Sequence, residues 1–580
     1  MIDFQKFLCI VVGMYVTEIP NRNSRPATLL RQSYRQDGKV KTQTLANLSH
    51  WPKQKIEALR RLLRGDTLVS PEDVFTVEAS LPHGHVELIL ATVRKLGLDR
   101  VISAKRCRER DLVIAMIVER ILNPCSKLAT TRLWHNTTLP QELSVQDAEL
   151  DELYEALDWL LARQRRIEKK LGQRHLSEGT LALYDVSSSS YYGRTCPLAQ
   201  FGHNRDGRRD LRCIVYGLLT DAEGRPIAVE VYPGATADPT TVADQVEKLR
   251  QRFGLSRVVL VGDRGMLTDV QIDLLREHPG VGWISSLRND EIKQLVEGGE
   301  LQLSLFDKKN LAEISSPDYP GERLVVCSNP LLAAQRHRKR QELLEATEDR
   351  FQSIAREAAR RTRKPLSPEE IGAKVGRLLL RYKMGKHFDW EYKDGKLQWS
   401  RRQESIDREA DLDGIYVIRT SEPAERLCAE DAVRNYKRLA QVEQAFRCLK
   451  GDLRIRPIYL RTAAHVRAHI LLCMLAYYVE WHLRRAWAPL LFEEENLEQD
   501  RQRRDPVAPA EASAAVKRKK ARKRTPEGLE VHSFQTLLEA LGARSRATCR
   551  ARSNDMEGAA FQQITPPTPL QAKARQLLGL

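Results

Sequence analysis

Seven segments between Leu181 and Leu287 narrow the folds open to this chain more than any other feature. Leu181–Ser189 is an apolar run of strand length, and Leu211–Thr220 and Pro226–Tyr232 are two more, joined by the turn Ala222-Glu223-Gly224-Arg225. A polar, Gly-containing stretch up to Asp210 separates the first run from the second. Thr240–Phe253 then reads as helix, Arg257–Gly262 as a buried strand, Asp269–His278 as helix and Gly282–Leu287 as strand. Short continuous or alternating apolar runs mark strands, whereas recurrence at i, i+3 and i+4 marks helices.

Three strands followed by helix, strand, helix and strand is the order of a ribonuclease-H-like α/β core. That core still lacks its last helices at residue 290, and the sequence then changes character. Glu322–Ser328 is a strand, Pro330–Arg361 is a very basic helical run, and a hairpin is expected across Asp394-Gly395, its arms carrying Trp390, Tyr392 and Trp399. The core resumes with the strand Gly414–Thr420 and the helices Asp431–Leu453 and Ala463–Leu483. The expected fold class is therefore α/β, a ribonuclease-H-like core interrupted by an inserted α+β domain.

Ahead of the core, Met14–Leu48 alternates apolar and polar residues around Asp37-Gly38 in a hairpin pattern. Lys53–Leu63, carrying Lys55, Arg60 and Arg61, reads as a short basic helix, followed by helices at Val86–Leu96, Arg108–Leu122 and Leu150–Leu171. Asn123-Pro124 stops the third of these. Translation starts at Met1 or at Met14, which opens the first strand. Past residue 490, the acidic Glu493–Glu495, a Pro/Ala-rich linker and the run Lys517–Arg524, basic except at Ala521, suggest a basic, partly disordered tail that is either solvated or bound to DNA. The expected layout is an N-terminal module over 1–100, a helical connector over 101–175, the core over 176–290, an insertion over 291–412, the rest of the core over 413–490 and the tail over 491–580.

Across 580 residues, 94 Lys and Arg stand against 77 Asp and Glu, a formal charge of +17. An excess of this size favours a polyanionic partner, with nucleic acid the first candidate and a bland basic surface the alternative. None of the ten cysteines forms a C-x-x-C pair, so neither a zinc ribbon nor a disulfide framework is supported and a reducing cytoplasm fits. The apolar Phe7–Val16 is far shorter than the roughly 20 residues that span a bilayer. It also lacks a basic leader, and no membrane role is expected.

Three acids stand out. Asp185 lies inside the apolar strand Leu181–Val186, where a carboxylate is costly unless it is paired, binds metal or faces solvent on one pleat. Asp263 ends the strand Val259-Leu260-Val261 between Gly262 and Gly265, and ligand sites of open α/β sheets lie at such strand ends. On the helix Asp431–Leu453, the residues Leu439, Val442, Phe446, Leu449 and Leu453 form an apolar stripe. Tyr436, Glu443, Arg447, Lys450 and Arg454 cluster on the neighbouring face, which is either a solvated ion-pair face or a site. Converging carboxylates suit phosphodiester chemistry, because they hold hard divalent ions about 3.5–4 Å apart around an in-line displacement. The loop His203–Asp210 either lines this site or simply crosses between strands.

Tyr184-Asp185-Val186, Val261-Gly262-Asp263-Arg264-Gly265 and Tyr436–Lys450 resemble the three motif regions of bacterial insertion-sequence DDE transposases. The match is to the branch with a domain inserted between the second and third acids, whose third motif reads Y-x2-R-x3-E-x6-K. Tyr436, Glu443 and Lys450 fall on its Y, E and K, while Leu439 replaces its arginine. Ile121–Lys127 and Arg456-Pro457-Ile458-Tyr459 are also similar to this group, and the resemblance covers roughly residues 14–485. It implies Asp185, Asp263 and Glu443 as catalytic residues binding two Mg²⁺ or Mn²⁺ ions, with Tyr436, Arg447, Lys450 and Arg264 on DNA. It implies cleavage at the ends of a mobile element and joining of the freed 3′-hydroxyls to target DNA. It further implies a homodimer on DNA, an N-terminal module reading the terminal inverted repeats, and work in the bacterial cytoplasm at the nucleoid. The inserted domain would manage DNA hairpins or flipped bases, with Trp390 and Trp399 either as stacking faces or, for at least one of them, as a packed residue of the hairpin. The rival readings are a nuclease of the same fold without strand transfer and a non-catalytic DNA-binding descendant.

Overall fold

The computed structural model describes residues 10–21, 25–36, 38–66, 75–301, 310–361, 363, 365–551 and 560–580. They fall into two units, one of residues 1–80 with 546–565 and the other of 81–545 with 566–580.

In the smaller unit, β1 (Ile10–Ile19), β2 (Ala27–Gln36) and β3 (Lys39–Asn47) form an antiparallel sheet in that order. Gln36 pairs with Lys39, leaving a two-residue turn in which Gly38 has φ +76°, a conformation that glycine adopts freely. Asp37 lies outside the described residues. The helix Lys53–Leu63 packs on β1, and its Arg60 bonds Glu18 at 2.8 Å. A second sheet joins β4 (Phe75–Pro82) to two strands from near the end of the chain, Ser545–Ala551 and Ala560–Ile564. The module expected over 1–100 therefore ends near residue 80 and takes strands from the expected tail. The backbone edge of β4 needs hydrogen-bonding partners, and the late strands supply them.

The larger unit is built on an eight-stranded sheet. Its core is β5 (Leu181–Ser190), β6 (Cys213–Asp221), β7 (Pro226–Pro233), β8 (Val258–Val261) and β9 (Val281–Ser286), in the spatial order β7-β6-β5-β8-β9. β6 lies antiparallel between β5 and β7, whereas β5, β8 and β9 run parallel. This is the ribonuclease-H-like arrangement that the order of segments predicts. Residues 258–261 are all buried, as a central parallel strand requires.

The sheet continues past β9. β10 (Leu311–Ile314) and β11 (Arg323–Ser328) add to it through β14 (Ile415–Thr420), which pairs antiparallel with β9. The segment expected as an insertion thus contributes two strands to the core sheet. Its remainder has a separate apolar cluster that includes Leu344, Phe351, Ile371, Val375, Phe388 and Leu397. The helix Pro330–Arg360 and the hairpin of β12 (Phe388–Lys393) and β13 (Lys396–Arg401) carry most of it. Trp399 stacks on Phe351 with ring centroids 5.3 Å apart, which makes it a packing residue, whereas Trp390 is 38% exposed.

The helix Ala463–Trp487 is buried along most of its length and touches β7 and the helices Gly84–Lys95, Arg108–Leu122 and Leu150–Leu161. A helix apolar on every face must be covered on every face. Among the described residues no helix is long and apolar enough to cross a membrane.

The tail is also folded. Phe534, Leu537, Leu538 and Leu541 form a buried stripe on the helix Phe534–Gly542, which packs on Gly84–Lys95. In the basic run, Lys519 is buried, and its Nζ donates to the carbonyls of Ala488, Leu491 and Glu493 at 2.7–3.0 Å. The charge-rich sequence around residues 511–524 conceals these anchors.

Candidate active site

β5 and β8 run side by side with Leu183 opposite Val261. Asp185 and Asp263 each follow that pair by two positions, so the parallel register carries both acids to the same level on neighbouring strands about 4.8 Å apart. Asp185 is half-buried, and its Oδ1 accepts the Val186 N–H at 2.7 Å. Burial pushes its carboxyl up to about 7, and the charges of Asp263 and Glu443 add to the rise; the Val186 N–H and Arg205 oppose it. Asp263 and Glu443 therefore both act on Asp185.

Asp263 is exposed just past β8, and its Oδ1 accepts the amides of Gly265 at 3.1 Å and Met266 at 2.8 Å. A side chain at Gly262 would meet Leu267 at 2.9 Å, so the glycine lets Leu267 pack against the end of the strand. Arg264 is exposed beside Asp263.

The third acid sits on a helix that packs against β5. The single helix expected over Asp431–Leu453 is broken at Arg438 into Ala429–Lys437 and Leu439–Lys450. Arg438 donates to the Ala222 carbonyl at 3.1 Å and to Glu498 at 2.6 Å, tying the break to the β6–β7 turn. The expected stripe of Leu439, Val442, Phe446, Leu449 and Leu453 is buried, and Glu443 and Arg447 are exposed. Tyr436, on the first segment, hydrogen-bonds Ser286 of β9 at 2.7 Å. Burial raises its phenol, and the charges of Asp263 and Glu443 reinforce that, which places the ring at the same locus.

Lys450 is not free. Its Nζ donates to the Ser188 carbonyl at 2.6 Å and to Asp206 Oδ1 at 3.0 Å, and Arg456 Nη1 reaches the same Oδ1 at 2.6 Å. The loop His203–Asp210 thus lines the site. Its Arg205 pairs with Asp238 and acts on Asp185, and its Asp206 collects two cations. Neither residue stands out in the sequence. Their partners Asp238, Lys450 and Arg456 lie far along the chain, so no local pattern marks them.

The oxygens of Asp185, Asp263 and Glu443 do not all lie within 4.8 Å of one another. Among the described residues, the one group of three ligand-type side chains that does is Cys448, Asp452 and Glu480. Arg484 already occupies that group, bonding Glu480 at 2.6 Å and Asp452 at 2.5 Å.

Residues 194–479 match the transposase DDE domain, and residues 16–73 match the N-terminal domain of IS1634 family transposases. The first match includes Asp263 and Glu443 and begins after Asp185. No curated protein matches the chain. A cryo-EM structure of a piggyBac transposase synaptic complex with hairpin DNA is similar over 74% of this chain and 84% of that one. Its identity is 10% and its TM-score 0.24, too low to bear on the fold. With a transposase DDE domain matched over residues 194–479 and an insertion-sequence N-terminal domain ahead of it, the chain belongs to the DDE transposases of bacterial insertion sequences.

Proposed function

We propose that Asp185, Asp263 and Glu443 are the reacting acids of this transposase and together hold two Mg²⁺ or Mn²⁺ ions. The observation that carries this is the state of Asp185. Its carboxyl is buried enough to be pushed up to about 7 and has two further acids in its field, an excess of negative charge that divalent cations relieve. The donor set fits the group, since hard divalent ions take carboxylate oxygens and need no His or Cys. Bound ions supply activation of the attacking hydroxyl and stabilisation of the leaving oxygen.

The chain's own residues orient the DNA. Tyr436, fixed by Ser286, and the exposed Arg264 and Arg447 stand around the acids and contact phosphates near the reacting bond, with Lys450 alongside. No protein nucleophile is required, because water opens the element end and the freed 3′-hydroxyl attacks the target. The matched segment 16–73 reads the terminal inverted repeats, and the cluster around Phe351 and Phe388 forms the inserted domain, with the exposed Trp390 as its stacking face. We assign the working form as a homodimer, each subunit holding one end, acting at the nucleoid.

The test is metal-dependent cleavage and strand transfer on a labelled duplex carrying the terminal repeats of the surrounding element. Wild type is compared with Asp185→Ala, Asp263→Ala and Glu443→Ala. Cleavage with Mg²⁺ that vanishes in all three variants, while end binding persists, is the expected result. Cleavage surviving Glu443→Ala would remove that residue from the site, and cleavage without joining would favour a simple nuclease.

A further inference from the structure

Three pieces of chain meet beside the acids. Asp206 belongs to the loop between β5 and β6, Lys450 ends the helix that carries Glu443, and Arg456 follows that helix. Arg456 is held near β5 by its own segment, in which Ile458 bridges Tyr191, the Ile458 carbonyl accepts the Tyr192 N–H at 2.9 Å and the Leu460 carbonyl accepts the Tyr191 hydroxyl at 3.1 Å. The Asp206 side chain is 4% exposed, so it does not itself face a ligand. One of its oxygens takes both cations and the other accepts the Ser190 N–H at 2.8 Å. The side chain of Arg456 is 41% exposed, and its guanidinium has further N–H groups to offer. Arg205, in the same loop as Asp206, is already paired with Asp238.

We propose that Lys450 and Arg456 form a two-cation cradle for one backbone phosphate of the bound DNA, and that Asp206 is the positioning residue that holds them together. Two cations converging on one point repel each other, and a shared buried carboxylate is what keeps them side by side before DNA arrives. The cradle adjoins Ser188, three strand rises or about 10 Å along β5 from Asp185, within reach of a few nucleotides. A phosphate held there fixes the register of the strand entering the site, whatever its sequence. The proposal rests on the reading of Asp185, Asp263 and Glu443 given above.

Asp206→Asn removes the charge and keeps an acceptor. In the full chain, on the labelled end duplex, it should lower the single-turnover cleavage rate about tenfold or more. End affinity should hold or rise, because one charge that repels DNA is gone. This split between rate and affinity is not what general destabilisation produces, and a thermal melt checks folding. Arg456→Ala, a change at a partly exposed side chain, should reduce the slope of log affinity against log salt by about 1. In that background, Asp206→Asn should lose most of its effect on rate.

A wild-type rate in Asp206→Asn, an undiminished effect in the Arg456→Ala background, or an unchanged salt slope in Arg456→Ala would each overturn the proposal. Asp263→Asn in the same assay reports on the underlying reading separately. If it is inactive while Asp206→Asn cuts normally, only the cradle fails. If it is active, the assignment of the acids fails, and the Arg456 salt slope still decides the phosphate contact.

Discussion

Gly224 offers a way to move Glu443 without touching it. It lies in the β6–β7 turn at φ +82°, and a side-chain carbon there would stand 2.6 Å from Cβ of Gln441, two residues before Glu443. Ordinary carbon contacts are about 3.5–4.0 Å, so Gly224→Ala must drive the turn and the helix apart by roughly 1 Å. The left-handed backbone costs an alanine about 1–2 kcal/mol, and the overlap adds about 1–3 kcal/mol. A shift of this size at a reacting group costs up to about a hundredfold in rate. Gly254 supplies the control, with φ +74° and nothing within 4 Å of the position its side chain would take. Gly254→Ala should lose only the backbone term, about 1–2 kcal/mol, and cleave element ends at the wild-type rate. Urea unfolding with single-turnover cleavage measures both effects. Equal destabilisation and equal activity in the two variants would refute the idea that the turn sets the position of the helix.

Three further outcomes follow from the packing. A chain ending after Glu495 uncovers Trp487, which is 0% exposed and donates to the Ala574 carbonyl at 3.0 Å, so it should be recovered as an aggregate or melt well below the full chain. Lys519→Met strands three carbonyls and should cost about 2–3 kcal/mol in urea unfolding, whereas the exposed Arg518→Ala should change stability by no more than about 0.5 kcal/mol. Burial, with the Arg225 charge next, lowers His175 to about 3 and His482 to about 4, so the unfolded chain takes up protons that the folded chain refuses. Stability should therefore fall as pH drops from about 6.5 to about 4, by at most about 1.4 kcal/mol per unit for each histidine and less where solvent screens them, and a His175→Gln/His482→Gln variant should show a flatter acid limb in melting experiments.

The core strands were legible in the sequence because each is a contiguous apolar run, and the stripe from Leu439 to Leu453 was legible because helical spacing survives translation into burial. The break at Arg438 was not, since both helix segments share one periodicity and the cause lies at Ala222, distant in sequence. Asp206 was hidden for the same reason, being one charge among several in a polar loop until the fold brings Lys450 and Arg456 to it. In the tail, composition misled. The run Lys517–Arg524 reads as solvated, yet the buried Lys519 and the stripe from Phe534 to Leu541 anchor that region. For DNA contact, the sequence singled out Lys450 and Arg447 alike, but only the fold shows that one is clamped and the other exposed.

The sheet that joins β4 to Ser545–Ala551 and Ala560–Ile564 has a consequence for synthesis. A ribosome makes the first of these strands early and the other two only after nearly the whole chain has emerged. Until then β4 keeps an open edge, and the early unit waits in an incomplete state while the catalytic sheet is made and folds. Prematurely terminated chains therefore carry an unfinished first unit together with an uncovered core, and both defects expose them to proteolysis. Completion of this unit thus waits for residues 545–564, whatever else has already folded.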